Sequence, residues 1–231
     1  MSRRDRFDQT PEDRFVLAAY QLFDWVGRHR ALCAAAAVAA AGAVLAGMAY
    51  LNQLRAYNEN AAIALDAAGT SAEYKAVVDT YPGSPAEPAA LFRLGRKLAD
   101  EERYQEAEEA FALLARSYPA HHLAPDALVF AGMLCAQQKK FDEAEKRYRG
   151  AAERYPGSFS APRALLGLGA CYEEMRRPDD AKAAYGKLVA DYGSSDLAKD
   201  AEARISRLAQ APPAVETNSA AKGGEGGAPV E

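Results

Sequence analysis

The residues best equipped for chemistry in this chain are few and scattered. His121 and His122 stand side by side, Cys33, Cys135 and Cys171 are far apart, and acids gather at Glu106, Glu108 and Glu109 and again at Glu143 and Glu145. Adjacent histidines on a turn do not both reach one ion, and no cysteine or acid lies near them in sequence, so no metal site is expected. No CxxC pair is present, and three cysteines in 231 residues form no disulfide framework. Each cysteine reads first as a small buried apolar residue. Cys135 and Cys171 could pair in an oxidising compartment, but their separation of 36 residues sets them at different angles on their helices. The glutamates fall near the starts of helical segments, where acids suit the dipole, and read as a solvated face. No GxSxG, HExxH or phosphate loop occurs. The expectation is a protein that is not an enzyme and takes no cofactor and no metal. A net charge of -4, with acids and bases interleaved, argues equally against nucleic acid.

With chemistry set aside, the elements themselves carry the information. Ala31–Leu51 contains no charged residue. At about 1.5 Å of rise per residue it is long enough to cross a bilayer as a helix, although its many alanines make it only moderately apolar. Residues 1–30 before it mix arginines with acids. Arg14, Arg28 and Arg30 lie close on its N-terminal side, and Arg55 stands nearly alone on the other side before Lys75. The positive-inside rule then keeps the N-terminus in the cytoplasm and exports the chain beyond Leu51. The long N-terminal segment and long apolar run fit an uncleaved signal anchor better than a cleaved signal peptide, despite a faint cleavage-site match at Gly47–Ala49. Phe15, Ala18, Ala19, Leu22, Phe23 and Val26 share one helical face, so residues 1–30 are expected to hold an amphipathic helix on the inner leaflet, or a simple extension of the span. Ala211–Glu231 lacks aromatic residues and is rich in Gly, Pro and Ala, and is expected to be disordered.

Residues 52–210 repeat themselves. Tyr81, Tyr118, Tyr155 and Tyr192 are each 37 residues apart, and the same step joins Leu91, Leu128 and Leu165. It also joins Gly95, Gly132 and Gly169; Ala107, Ala144 and Ala181; and Tyr74, Phe111, Tyr148 and Tyr185. One period shared by several registers is the mark of a solenoid. Within a unit, Leu91, Leu94, Gly95 and Leu98 form one helix face, and Ala107, Phe111 and Leu114 form a second. Tyr118-Pro119 closes the unit, because proline cannot extend a helix and restrains the residue before it. Each unit is predicted to be helix, turn, helix, proline stop.

This unit resembles a tetratricopeptide repeat lengthened by three residues. Leu91, Leu94-Gly95, Tyr104, Ala107, Phe111, Leu114 and Pro119 match that family's pattern, as do Leu128, Gly132, Phe141, Ala144, Tyr148, Ala151 and Pro156. The fourth unit keeps Leu165, Leu168-Gly169, Ala181, Tyr185 and Leu188 but has Pro178 for the turn aromatic and Gly193 for the closing proline. A first, degenerate unit spans Leu51–Glu87, with Asn58 and Thr70 where Gly and Ala are usual, and its first helix is expected to continue from the membrane helix. A final helix, Asp196–Gln210, places Leu197, Ala201, Ile205 and Leu208 inward and Lys199, Glu202, Arg204 and Arg207 outward. The resemblance implies an all-α fold: a right-handed tetratricopeptide-repeat superhelix of about four units plus a capping helix, after one transmembrane helix.

In that family the first helices line a concave face that holds a peptide or partner helix. The matching positions here are Phe92, Arg96, Asp126, Val129, Met133, Gln137, Arg163, Leu166 and Glu173, with Arg55 and Glu59 from the first unit. They lack the Lys and Asn set with which one subgroup clamps a carboxylate, and suggest an apolar, mixed-charge groove. In layout the chain resembles the ancillary subunit of the Sec translocon (YfgM type), a single-span bacterial inner-membrane protein with an exported repeat domain. The "YPGSPxA" text is closer to the outer-membrane assembly lipoproteins (BamD type) and the Tol–Pal coordinator. These resemblances imply a periplasmic adaptor whose partners are exported proteins, the translocon or periplasmic chaperones. Two alternatives stay open: self-association as a structural scaffold, or an outer-membrane assembly or cell-envelope coordination factor released by signal cleavage.

Overall fold

The computed structural model describes residues 11–210; Ala211–Glu231, expected to be disordered, lies outside the described residues, as do the first ten. Ten helices and no strand are present among the described residues: α1 (Pro11–Arg28), α2 (Arg30–Ala67), α3 (Ser71–Thr80), α4 (Glu87–Asp100), α5 (Tyr104–Ser117), α6 (Ala124–Gln137), α7 (Phe141–Arg154), α8 (Ala161–Glu174), α9 (Pro178–Asp191) and α10 (Asp196–Gln210). Contacts divide the chain into two compact units between Ala64 and Leu65. The first unit holds α1 and most of α2. Helix α2 runs through Leu51 without a break, as the sequence suggested, and is long and apolar enough to cross a membrane.

In the second unit α4–α5, α6–α7 and α8–α9 are helix hairpins, every helix fourteen residues long. Pro88, Pro125 and Pro162 lie in the first turns of α4, α6 and α8, where their missing N–H costs nothing. Those helices end on Glu102, Lys139 and Arg176, with φ of 60°, 60° and 57°. The next residue reverses the chain: Arg103 N–H donates to Leu98 O, Lys140 to Cys135 and Arg177 to Tyr172, at 2.9, 2.9 and 2.8 Å. This is the Schellman closure, built here without glycine at a cost of about 1 kcal/mol per left-handed residue. The second helix starts at once. Pro178 departs from the repeat pattern only in residue type, since it occupies the first turn of α9. Helix α3 is shorter, at ten residues, because Thr70 caps it. The Glu73 N–H donates to Thr70 Oγ1, and the Glu73 carboxylate accepts from Gly69 and Thr70 N–H. Those backbone donors, Gly69 foremost, hold Glu73 below the usual carboxylate range.

Each closing tyrosine does more than end a helix. Its N–H caps the last turn, and its carbonyl accepts from the residue three further on, bending the chain towards the next unit. From Tyr118 onward the hydroxyl also reaches back towards the preceding repeat. Tyr155 OH donates to Pro119 O at 2.8 Å, and Tyr192 OH to Pro156 O at 2.6 Å. Tyr118 OH donates to the Glu87 carboxylate, which also accepts from Gly83 N–H. The tyrosine–proline pair is therefore a staple between neighbours: Pro119 and Pro156 stop one helix, and their carbonyls receive the next tyrosine.

The core is organised around three rings. A β-carbon placed on Gly95 would lie 2.8 Å from the Phe111 ring, one on Gly132 would lie 2.9 Å from Tyr148, and Gly169 is closer still to Tyr185. The glycines thus admit the aromatic of their own hairpin. Each ring's second neighbour comes from the next first helix, and here the residue types differ. Phe130 stacks on Phe111 at 5.4 Å, Gly167 would bring a β-carbon within 2.6 Å of Tyr148, and Arg204 lies over Tyr185 at 5.8 Å. Arg204 therefore does not face outward as expected of a cap helix. It also donates to Glu173 Oε1 at 3.1 Å and to Tyr185 OH at 3.3 Å.

A candidate interaction surface

The first helices of successive hairpins touch one another, α6 against α8 and α8 against α10, whereas the second helices contact mainly the first helices beside them. Elements that crowd together lie on the inner side of a curved stack, which places α6, α8 and α10 there, and α4 joins them through Phe92, which meets Phe130 of α6. Of the nine positions expected there, Arg96, Met133, Gln137 and Arg163 are exposed, and Phe92, Asp126, Leu166 and Glu173 are half-buried. Val129 is 0% exposed, packed in the core where α6 meets α8, and offers nothing to a partner. Asp126 is occupied by the Ser160 hydroxyl, and Glu173 by Tyr185 OH and Arg204. Gln137 Nε2 donates to Tyr104 OH at 3.2 Å.

What remains open is simple. At one register of the repeat stand Arg96, Met133, Ala170 and Arg207, on α4, α6, α8 and α10. Met133 is 47% exposed, and both arginines are exposed. Phe92, edge-on to Phe130 at 5.5 Å, lies half-buried one turn away. The only charge on α6, Asp126, is already bonded, so at this register the middle, Met133 and Ala170, is apolar and the two ends, Arg96 and Arg207, are cationic. Phe130 is invisible to a periodic reading because its register runs Arg93, Phe130, Gly167, Arg204, with no residue type in common.

The residues that could have done chemistry are otherwise engaged. The His121 and His122 rings lie 4.3 Å apart, and His121 Nδ1 accepts from Leu123 N–H; burial first, and His122 second, lower the His121 pKa. No cluster of metal-ligating side chains occurs among the described residues. Glu108 and Glu145 are not the solvated residues expected. Arg147 donates to Glu108 at 3.0 Å across the gap between α5 and α7. Glu145 binds Arg149, Arg177 and Tyr172 OH, joining α7 to α8 and its closing turn. Either side of the closed α5–α7 gap, matching cavities of about 330 and 220 Å³ lie between α3 and α5 and between α7 and α9.

Cys135 and Cys171 are free and buried. Burial, aided by Glu108, pushes the Cys135 thiol up to about 12, and burial with Glu145 pushes Cys171 up to about 11. Both are thiols near neutrality, and so unreactive. N-ethylmaleimide should leave Cys135 and Cys171 unlabelled in the native chain and label both after denaturation; native labelling at Cys135 would contradict this packing.

Residues 136–205 match the tetratricopeptide repeat family. No curated protein matches the chain in sequence. Among solved structures, a tetratricopeptide repeat protein from Parabacteroides merdae superposes with a TM-score of 0.50 at 18% identity, over 60% of this chain and 52% of that one, about half its length. The Sgt2 TPR domain from Aspergillus fumigatus gives 0.46 at 22% identity, over 61% of this chain and 93% of that domain. PcrH from Pseudomonas aeruginosa gives 0.46 at 16%, over 55% and 94%. The fold is that of tetratricopeptide repeats.

Proposed function

We propose that the chain is a membrane-anchored adaptor that holds a segment of another protein in its concave face, on the extracytoplasmic side, during export or envelope assembly. The observation that carries this reading is one register of the repeat: Met133 of α6 stands exposed at its middle, with Arg96 of α4 and Arg207 of α10 at the two ends and Phe92 of α4 half-buried one turn from Arg96. Such a surface suits an apolar stretch with acidic residues on either side, an extended client rather than a folded one. The uncharged run of α2 supports anchoring, and the arginine bias before it supports export of the repeats. The layout resembles the translocon-associated family, which supports placing the clients among newly exported proteins. A photocrosslinking residue in place of Met133, in the intact chain in cells, should give discrete adducts with other proteins, while one in place of Lys146 on α7 should not. Equal adducts at both sites, or none, would sink the reading. Adducts with the chain itself would instead make it a self-associating scaffold. A reporter fused after Gln210 tests the topology independently.

A further inference from the structure

We propose that α1 is a lipid-surface element, lying in the headgroup layer of the leaflet that α2 enters. This rests on the reading of α2 as a membrane span. Helix α1 carries a continuous apolar arc through Phe15, Ala19, Leu22, Phe23 and Val26, and among the described residues of its own unit nothing covers it: Phe15 is 77% exposed and Phe23 82%. Tyr20 and Trp25 flank that arc on either side, the position in which amphipathic rings meet a bilayer surface. The opposite face carries Asp24 and Arg28, which pair with each other, and with Glu12, Asp13 and Arg14 the helix has three acids to two bases, so it has no net positive charge to seek anionic lipid.

The nature of the occupant is set by the connection. A single residue, His29, separates α1 from α2, and the uncharged run begins at Ala31. The Trp25 ring stacks on His29 at 4.8 Å, and His29 N–H donates to Trp25 O at 3.0 Å. Once α2 is inserted, the end of α1 is held at the hydrocarbon boundary. Lipid then covers its apolar arc without a further loss of translational freedom, whereas a second copy of the chain would have to be brought in and oriented.

Trp25 is the sole tryptophan, so the unmodified chain carries its own reporter. The full chain is reconstituted into phosphatidylcholine vesicles whose lipids are brominated either near the headgroup or at the chain midpoint. The expected result is blue-shifted emission, quenched at least about twofold more strongly by the shallow bromine than by the deep one. Adding phosphatidylglycerol should leave it unchanged, as the lack of net positive charge on α1 requires. A chain with both F15D and F23D should stay in the vesicles but show water-like emission. Water-like emission from the wild-type chain would overturn the proposal, and so would blue emission insensitive to bromine, which would mean a protein partner on α1. Release of the chain by alkaline carbonate would overturn the span reading and this one with it; retention without bromine quenching overturns this one alone.

Discussion

Gly169→Ala should lower the stability of the detergent-solubilised chain by about 2 kcal/mol or more, while Gly186→Ala, the same change on the partner helix, should raise it by about 0.5–1 kcal/mol. Intrinsic propensity favours alanine at both sites, because both glycines lie inside fourteen-residue helices. Space decides the sign. Nothing lies within 4 Å of a β-carbon on Gly186, whereas one on Gly169 would overlap the Tyr185 ring. That ring cannot step aside, since Glu173 and Arg204 hold its hydroxyl and Arg204 covers its face. Gly167→Ala should behave like Gly169→Ala, because its methyl would strike Tyr148 from the neighbouring hairpin. Urea unfolding followed by circular dichroism reads both effects as opposite shifts of midpoint at unchanged slope. If all three variants shift the same way, the rings are not seated as described.

The contrast between those glycines shows which part of the fold is legible in a sequence. Gly95, Gly132 and Gly169 recur at the repeat step and opposite recurring aromatics, so both the hairpins and their internal contact can be read directly. Gly167 cannot, because contacts between hairpins need only shape, and Phe130, Gly167 and Arg204 each solve the same gap differently. Composition sees three unrelated residues. The left-handed turns at Glu102, Lys139 and Arg176 are silent for a similar reason: the closure is made by backbone hydrogen bonds, and the side chains carry no sign of it. The tyrosine–proline text is plainly periodic, yet its role as a staple depends on where a hydroxyl lands one repeat away. The concave face is half legible. Exposed Arg96, Met133 and Arg163 are set by helical phase, but Val129 is buried because α6 and α8 come together there, a distance that phase does not contain.

Ending the chain after Ser194 should cost more than any single substitution, because α10 covers the open side of the last hairpin. Ala198 and Ala201 are buried, and Leu197, Ile205 and Leu208 pack against the cluster that contains Tyr185 and Leu188. Losing that cover removes on the order of 3–5 kcal/mol of apolar burial and leaves Ala184, Tyr185 and Leu188 next to water. An uncapped repeat array exposes such a face to its copies, so the shortened chain should melt well below the full one and associate as concentration rises. Arg204→Ala separates the two effects. It removes the guanidinium over Tyr185 and the partner of Glu173 while keeping the helix, so it should cost about 1–2 kcal/mol without inducing association. Light scattering and thermal melts on the two variants decide the matter. A shortened chain that melts like the full one and stays the same size would show that α9 needs no cover, and that α10 serves something other than the fold.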